Sequence, residues 1–210
     1  MKTVAVLAQK GGVGKTTLTV HLAVLAGQRG MPAAILDVDP QRSAHDWADQ
    51  RENETPAVVS VEPGQITQAK MLARLDGTEL LLIDTAPHAE AGIVAAARVA
   101  DFVLVPCRPA VLDLRAIGST LNILTSTRKD HAVVLNACPP PRGFGEPSLV
   151  TEAREYLASI DAPCLDATVT QRMAFSHALI DGRAVSEFEP NGKAAGEIST
   201  LLDEILGRIG

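Results

Sequence analysis

Five short apolar runs, at residues 3–7, 33–38, 80–83, 102–105 and 132–135, recur along the chain, each nearly continuous rather than alternating with polar residues. A half-exposed strand alternates, whereas a strand covered on both faces does not, so these runs predict strands in the middle of a sheet. Helical patterns lie between them at 15–29, 65–75 and 111–125, the first closed by Gly30 and Pro32 and the second by Gly77. Strand followed by helix, repeated, predicts an α/β fold: a mostly parallel twisted sheet flanked by helices on both faces and joined by right-handed crossovers. A chain of 210 residues with 46% hydrophobic residues and no biased segment is enough for one core, so a single domain over 1–210 is expected.

Three further segments fit this frame. Ser43 is placed to N-cap a short helix through Arg51, with Trp47 on it as a packing residue. The prolines and glycines of CPPPRGFGEP, residues 138–147, predict a loop. From about Gly192 a last helix sets Ala195, Ile198, Leu202, Ile205 and Ile209 on one stripe. The opening MKTVAVLA is interrupted by Gln9 and Lys10 too early for an export segment, and no later run is long enough to span a bilayer. Cys107, Cys138 and Cys164 are far apart with no C-x-x-C pair, which reads as core thiols in a reducing, cytoplasmic compartment. A net charge of -6 excludes a surface that is basic all over, so any contact with nucleic acid has to come from a local patch.

The chemistry is concentrated in AQKGGVGKTTLTV, residues 8–20. Gly11, Gly12 and Gly14, with Val13 among them, fall between the end of a strand and the start of a helix, where backbone N–H groups converge on phosphate oxygens. Lys15 is placed to reach the β- and γ-phosphates, Thr16 offers a hydroxyl to Mg²⁺, and Thr17 completes the nucleotide-binding set. Gln9 stands where the general phosphate-loop motif has its first glycine, and a second lysine, Lys10, precedes the glycine pair. Two carboxylate stations follow: Asp37 and Asp39 at the end of one apolar run, and Asp84 at the end of LLLID. Strand-end carboxylates in a parallel sheet face the ligand crevice, and Asp84 has the form of a Mg²⁺-holding station. His88 just beyond reads as an exposed loop histidine.

The octet K-G-G-V-G-K-T-T resembles the deviant Walker A box of the ParA/MinD group of ATPases, a branch of the SIMIBI-type P-loop proteins. The resemblance implies ATP and Mg²⁺ as cofactors and a catalytic set of Lys10, Lys15 and Asp39. Lys10 would cross a dimer interface to the nucleotide held by the other subunit, and Asp39 would position water and the shell of a metal held with Thr16 and Asp84. Thr85, Ala86 and Pro87 would open the second switch.

The segments VLVPCRPAVLDLRAIG and TVTQRMAFSHALIDGRAVSEF look like small plasmid-partition ATPases of the ParF type. Asn136 falls where the group often sets a residue against adenine, though the position equally suits a turn cap. With a phosphate loop this near the first residue, the helix-turn-helix extension of larger partition ATPases is not expected.

The implied partners are a second copy of the chain, nonspecific double-stranded DNA and a cargo adaptor of ParB or ParG kind, with the ATP form on the nucleoid. Arg172, Arg183 and Lys193 are the candidate DNA contacts, each also readable as an ordinary solvated surface cation. The rival readings are a nucleotide-dependent filament or scaffold, a MinD-like spatial regulator, and a phosphoryl-transferring metabolic enzyme. The tail ISTLLDEILGRIG, with two acids against one arginine, argues against a membrane anchor.

Overall fold

The computed structural model describes residues 1–141 and 145–210; Arg142, Gly143 and Phe144 of the expected proline-glycine loop lie outside the described residues. Seven strands form one sheet in the order β3-β2-β4-β1-β5-β6-β7, with every pairing parallel. They are β1 (Lys2–Val6), β2 (Ala33–Asp37), β3 (Ala57–Ser60), β4 (Leu80–Asp84), β5 (Phe102–Cys107), β6 (His131–Cys138) and β7 (Cys164–Thr170). The five expected strands are the five central ones. The two that sequence patterning missed, β3 and β7, are the edges. In β7 (CLDATVT) Asp166 and the threonines interrupt the apolar residues, and β3 (AVVS) is an apolar run of only three residues ended by Ser60, so neither reads as a strand covered on both faces.

The helices are α1 (Lys15–Gln28), α2 (Ser43–Asp49), α3 (Ile66–Leu75), α4 (Glu90–Val99), α5 (Val111–Thr127), α6 (Ser148–Ser159), α7 (Met173–Ile180), α8 (Val185–Phe188) and α9 (Lys193–Ile209). They cover both faces of the sheet. Along β1, Val4 and Val6 enter one core with Leu18, Leu22, Trp47, Ile198 and Leu202, while Ala5 and Leu7 enter the other with Ile93, Ile117, Leu124 and Leu157. Each fully buried Val, Leu or Ile adds roughly 1.5–3 kcal/mol, so β1 is held from both sides and makes a rigid base for the loop that follows it. The α9 stripe is buried as expected from Ala195 through Ile205, with Ile209 partly covered.

The short helix α2 corrects one expectation. Ser43 is its first helical residue and makes no cap bond; Arg42, at φ 55°, occupies the cap position. The capping is done by Asp37, whose Oδ2 accepts the N–H groups of Ala44 and His45, each at 3.1 Å. A carboxylate serves the helix start better than a hydroxyl because its charge also meets the positive end of the helix dipole. The helix also stops at Asp49, short of Arg51. Arg51 turns back over the Trp47 ring at 4.6 Å and pairs with Glu187 at 2.8 Å. Trp47 is buried, as a packing residue should be. No helix among the described residues is long and apolar enough to cross a membrane.

Candidate functional site

The sheet register brings the site together. Val6 and Asp37 both lie opposite Asp84, so the ends of β1, β2 and β4 deliver the glycine loop and the carboxylates to one edge. Gly14, at φ 93°, turns the chain into α1 with no side-chain cap, which leaves the first-turn N–H groups of the helix for an anion. Only glycine fits there. A Cβ on Gly14 would lie 2.2 Å from Asn136 Nδ2, because that amide reaches under the loop and donates to the Val13 carbonyl at 2.7 Å. The side chain of Asn136 is thus a prop beneath the phosphate loop, and it also lines the cavity above.

The two lysines have opposite environments. Lys15 is only 7% exposed, and its Nζ donates to the Lys10 carbonyl at 3.3 Å. Burial lowers its pKa, against the pull of the Asp84 and Asp39 charges. The Lys10 side chain is exposed, with no hydrogen bond or ion pair to another side chain among the described residues.

Thr16 Oγ1 donates to Asp84 Oδ2 at 2.5 Å. Asp84 is fully buried, and burial pushes its carboxyl up to about 7, with the Thr16 bond pulling the other way. Asp37 is raised by burial too, although its bonds to backbone N–H groups oppose this. Asp39 is half-buried at the rim and accepts the N–H of Gln41 at 2.9 Å.

A buried carboxylate in contact with a hydroxyl, beside a second carboxylate, is a hard-oxygen donor set that suits Mg²⁺. No group of three or more His, Cys, Asp or Glu among the described residues forms a complete metal cage. Mg²⁺ needs none when phosphate oxygens and water complete its shell, so Thr16, Asp84 and Asp39 fit the ion. When bound, it would neutralise charge on the phosphate oxygens.

The glycine loop floors a cavity of about 540 Å³. Its walls include Gly11 to Thr17, Asp39, Pro87, Asn136 and residues that sequence reasoning did not single out, among them Arg108, Gln171 and Phe175. Two sequence signals bear on Arg108: its place just past the end of an apolar run, as for Asp39, and its position inside the segment VLVPCRPAVLDLRAIG. Thr85 is buried and ties its hydroxyl to the Val6 carbonyl, while Pro87 sits against Gly11. His88 is exposed at φ 58°, and its backbone N–H donates to the Gln9 carbonyl.

The three candidate DNA cations are not alike. Arg172 pairs with Glu197 at 2.6 Å and lines the cavity. Arg183 pairs with Asp181 at 2.5 Å and lies over the Phe188 ring. Lys193, at the start of α9, is exposed and makes no ion pair among the described residues. Cys107 and Cys138 are buried and their thiols are pushed up to about 12, whereas Cys164 is half-buried.

The family model described as the CobQ/CobB/MinD/ParA nucleotide binding domain matches residues 4–185. The chain is 29% identical over 214 residues to the maintenance of carboxysome distribution protein A of Halothiobacillus neapolitanus, covering 97% of this chain and 96% of that protein. It is 31% identical over 201 residues to the protein of the same description from Gloeobacter kilaueensis, covering 93% of this chain and 88% of that one. Among solved structures, apo McdA of Cyanthece matches all of both chains with a TM-score of 0.80 at 15% identity, a likeness of fold. With a family match over most of its length and a phosphate loop of the matching form, the chain belongs to the CobQ/CobB/MinD/ParA family and is an ATPase of the ParA/MinD type.

Proposed function

We propose that this ATPase positions a cargo. In this reading ATP and Mg²⁺ drive a sandwich homodimer, the dimer binds double-stranded DNA without sequence preference, and an adaptor protein stimulates hydrolysis and release. The observation that carries the reading is the contrast between the two lysines. Lys15 is buried at the floor of the cavity, where it serves its own nucleotide, while the Lys10 side chain is exposed, with no partner among the described residues of its own chain. Two triphosphates brought face to face repel each other, so they associate only with cations between them, and an exposed lysine from each subunit supplies those. ATP then acts as a population switch, because only the triphosphate gives Lys10 its partner. The cargo is a plasmid, a chromosome region or a protein body; the relatives named for carboxysome distribution favour the protein body.

The test is light scattering and nucleotide binding on the parent, Lys10→Ala and Lys15→Ala proteins. The parent doubles in mass with ATP and Mg²⁺ but not with ADP. Lys15→Ala binds no ATP, whereas Lys10→Ala binds ATP yet stays monomeric and does not turn over. Asp39→Ala accumulates as an ATP dimer that stays on DNA. Retention on DNA weakens with salt, and replacing Lys193, Arg183 or Arg172 by alanine flattens the logarithmic salt slope by roughly one unit for each phosphate that the side chain neutralises. A Lys10→Ala protein that dimerises and hydrolyses like the parent overturns the proposal, and sedimentable polymer formed with ATP in place of DNA retention favours a filament.

A further inference from the structure

The order of strands sets Asp84, Asp37 and Asp39 on one side of the glycine loop and Arg108 on the other. On one side of the glycine loop, which leaves β1, the ends of β4 and β2 carry Asp84, Asp37 and Asp39. On the other side β5 ends at Cys107 and is followed directly by Arg108. The backbone there is well held: Cys107 and Pro109 are buried, and α5 begins at Val111. The Arg108 side chain is exposed and forms no ion pair or hydrogen bond among the described residues. It is nevertheless directed at the loop, since Nη2 is the nearest atom to a Cβ built on Gly12, at 3.9 Å, and the residue lines the cavity.

We propose that Arg108 is a further phosphate-contacting residue, acting within its own subunit on the terminal phosphoryl group from the side of the loop opposite the metal. This deepens the ATP reading of the cavity and rests on it. Thr16, Asp84 and Asp39 would hold Mg²⁺ on the acidic side. Phosphoryl oxygens turned away from Thr16, Asp84 and Asp39 would face the end of β5, where the Arg108 guanidinium lines the cavity. A guanidinium offers a planar fork that matches two phosphate oxygens, keeps its charge at every working pH, and loses little water when it binds. It therefore favours a nucleotide that has a γ-phosphate over one that lacks it.

The experiment measures ATP and ADP affinity with Mg²⁺ by calorimetry for Arg108→Ala and Arg108→Lys. Both are made in the Lys10→Ala background, at concentrations where light scattering gives a monomer. Arg108→Ala weakens ATP binding about tenfold to a hundredfold and ADP binding less than about threefold, the loss of a charge-assisted bond made to the γ-phosphate alone. Arg108→Lys keeps the charge without the fork and falls between the two. The melting temperature of the nucleotide-free protein is unchanged, because the side chain makes no ion pair or hydrogen bond among the described residues. Equal losses for ATP and ADP, or no loss for either, overturn the proposal. Arg108→Ala is also measured with Lys10 intact, and a loss seen there but not in the Lys10→Ala background moves the contact to the partner subunit and overturns the placement within one chain. Absence of ATP binding in the unsubstituted protein overturns the ATP reading itself, which the comparison of Arg108 variants alone leaves standing.

Discussion

Acid should unfold this protein partly through one histidine that plays no part in the site. His21 lies on α1 with no exposed surface; its Nδ1 accepts the N–H of Val185 at 3.2 Å, and its ring is 5.2 Å from that of Phe175. Because Nδ1 accepts, the single proton of the neutral ring is on Nε2, which is buried with no partner among the described residues. A second proton would set two donors against each other at Val185 and place a charge in the core. Burial accordingly lowers the pKa from 6.5 to about 3, against a partial pull upward from Glu187 on α8. The group is a base with a depressed native pKa, so between pH 6.5 and 3 the unfolded chain holds more protons than the native one, and stability falls as pH falls through that window. From pH 7 to pH 5 the unfolded imidazole becomes almost fully protonated while the native one stays neutral, a loss of about 2 kcal/mol. That is a large share of a typical domain stability of about 5–15 kcal/mol.

Asp37 and Asp84 have the opposite sign, since their raised pKa values make the native state gain protons first. The parent protein alone therefore does not isolate the effect. His21→Asn keeps an acceptor for the Val185 N–H but cannot titrate, and every other group is common to both proteins. Urea unfolding of the nucleotide-free proteins at pH 7 and pH 5, followed by circular dichroism, should show the stability gap between parent and variant shift by about 2 kcal/mol toward the variant at pH 5. Parallel losses in the two proteins would refute the argument, because they would mean that the native ring takes its proton as readily as the unfolded one.

Three further perturbations separate structural from functional roles. Gly14→Ala combines left-handed strain with a clash against Asn136, at a cost of about 3 kcal/mol; Asn136→Ala should recover part of that in the double variant, which urea unfolding would detect as non-additivity. Asp37→Ala uncaps α2 and costs about 1–2 kcal/mol, whereas Asp39→Ala stays within about 0.5 kcal/mol of the parent and loses phosphate release; equal stability losses would show that the two aspartates have not been told apart correctly. Arg51→Ala strips a 3%-exposed guanidinium from Glu187, the Gly182 carbonyl and the Trp47 face, and should cost about 3–4 kcal/mol with nucleotide affinity retained; a cost under about 1 kcal/mol in the same assay would refute it.

What is legible in the sequence is what the chain decides locally. The central strands announce themselves because burial on both faces demands unbroken apolar runs, and the phosphate loop because its backbone shape demands glycines at fixed spacing. Asp39 and Asp84 are found by position alone, as residues at the ends of such runs. The rest depends on partners that sequence distance hides. Ser43 has the chemistry of a cap for α2, yet Asp37, six residues earlier at the end of β2, reaches the open N–H groups instead. Arg172 reads as a free surface cation until the fold brings Glu197 against it. His21 sits in an apolar run without any local mark of its burial, because its partner Val185 lies 164 residues away. Arg108 shows the same limit from the functional side. The segment around Arg108 resembles partition ATPases, but nothing in it marks this side chain for a phosphate, and it becomes a candidate because β5 pairs with β1 on the side away from Asp84, Asp37 and Asp39. Strand order, which no local pattern encodes, thus decides which charges lie beside the glycine loop. A relative with the same octet but a neutral residue after its fifth strand should therefore bind ATP and ADP with more nearly equal affinity, and a comparison of the two nucleotides across such a pair would test the rule beyond this chain.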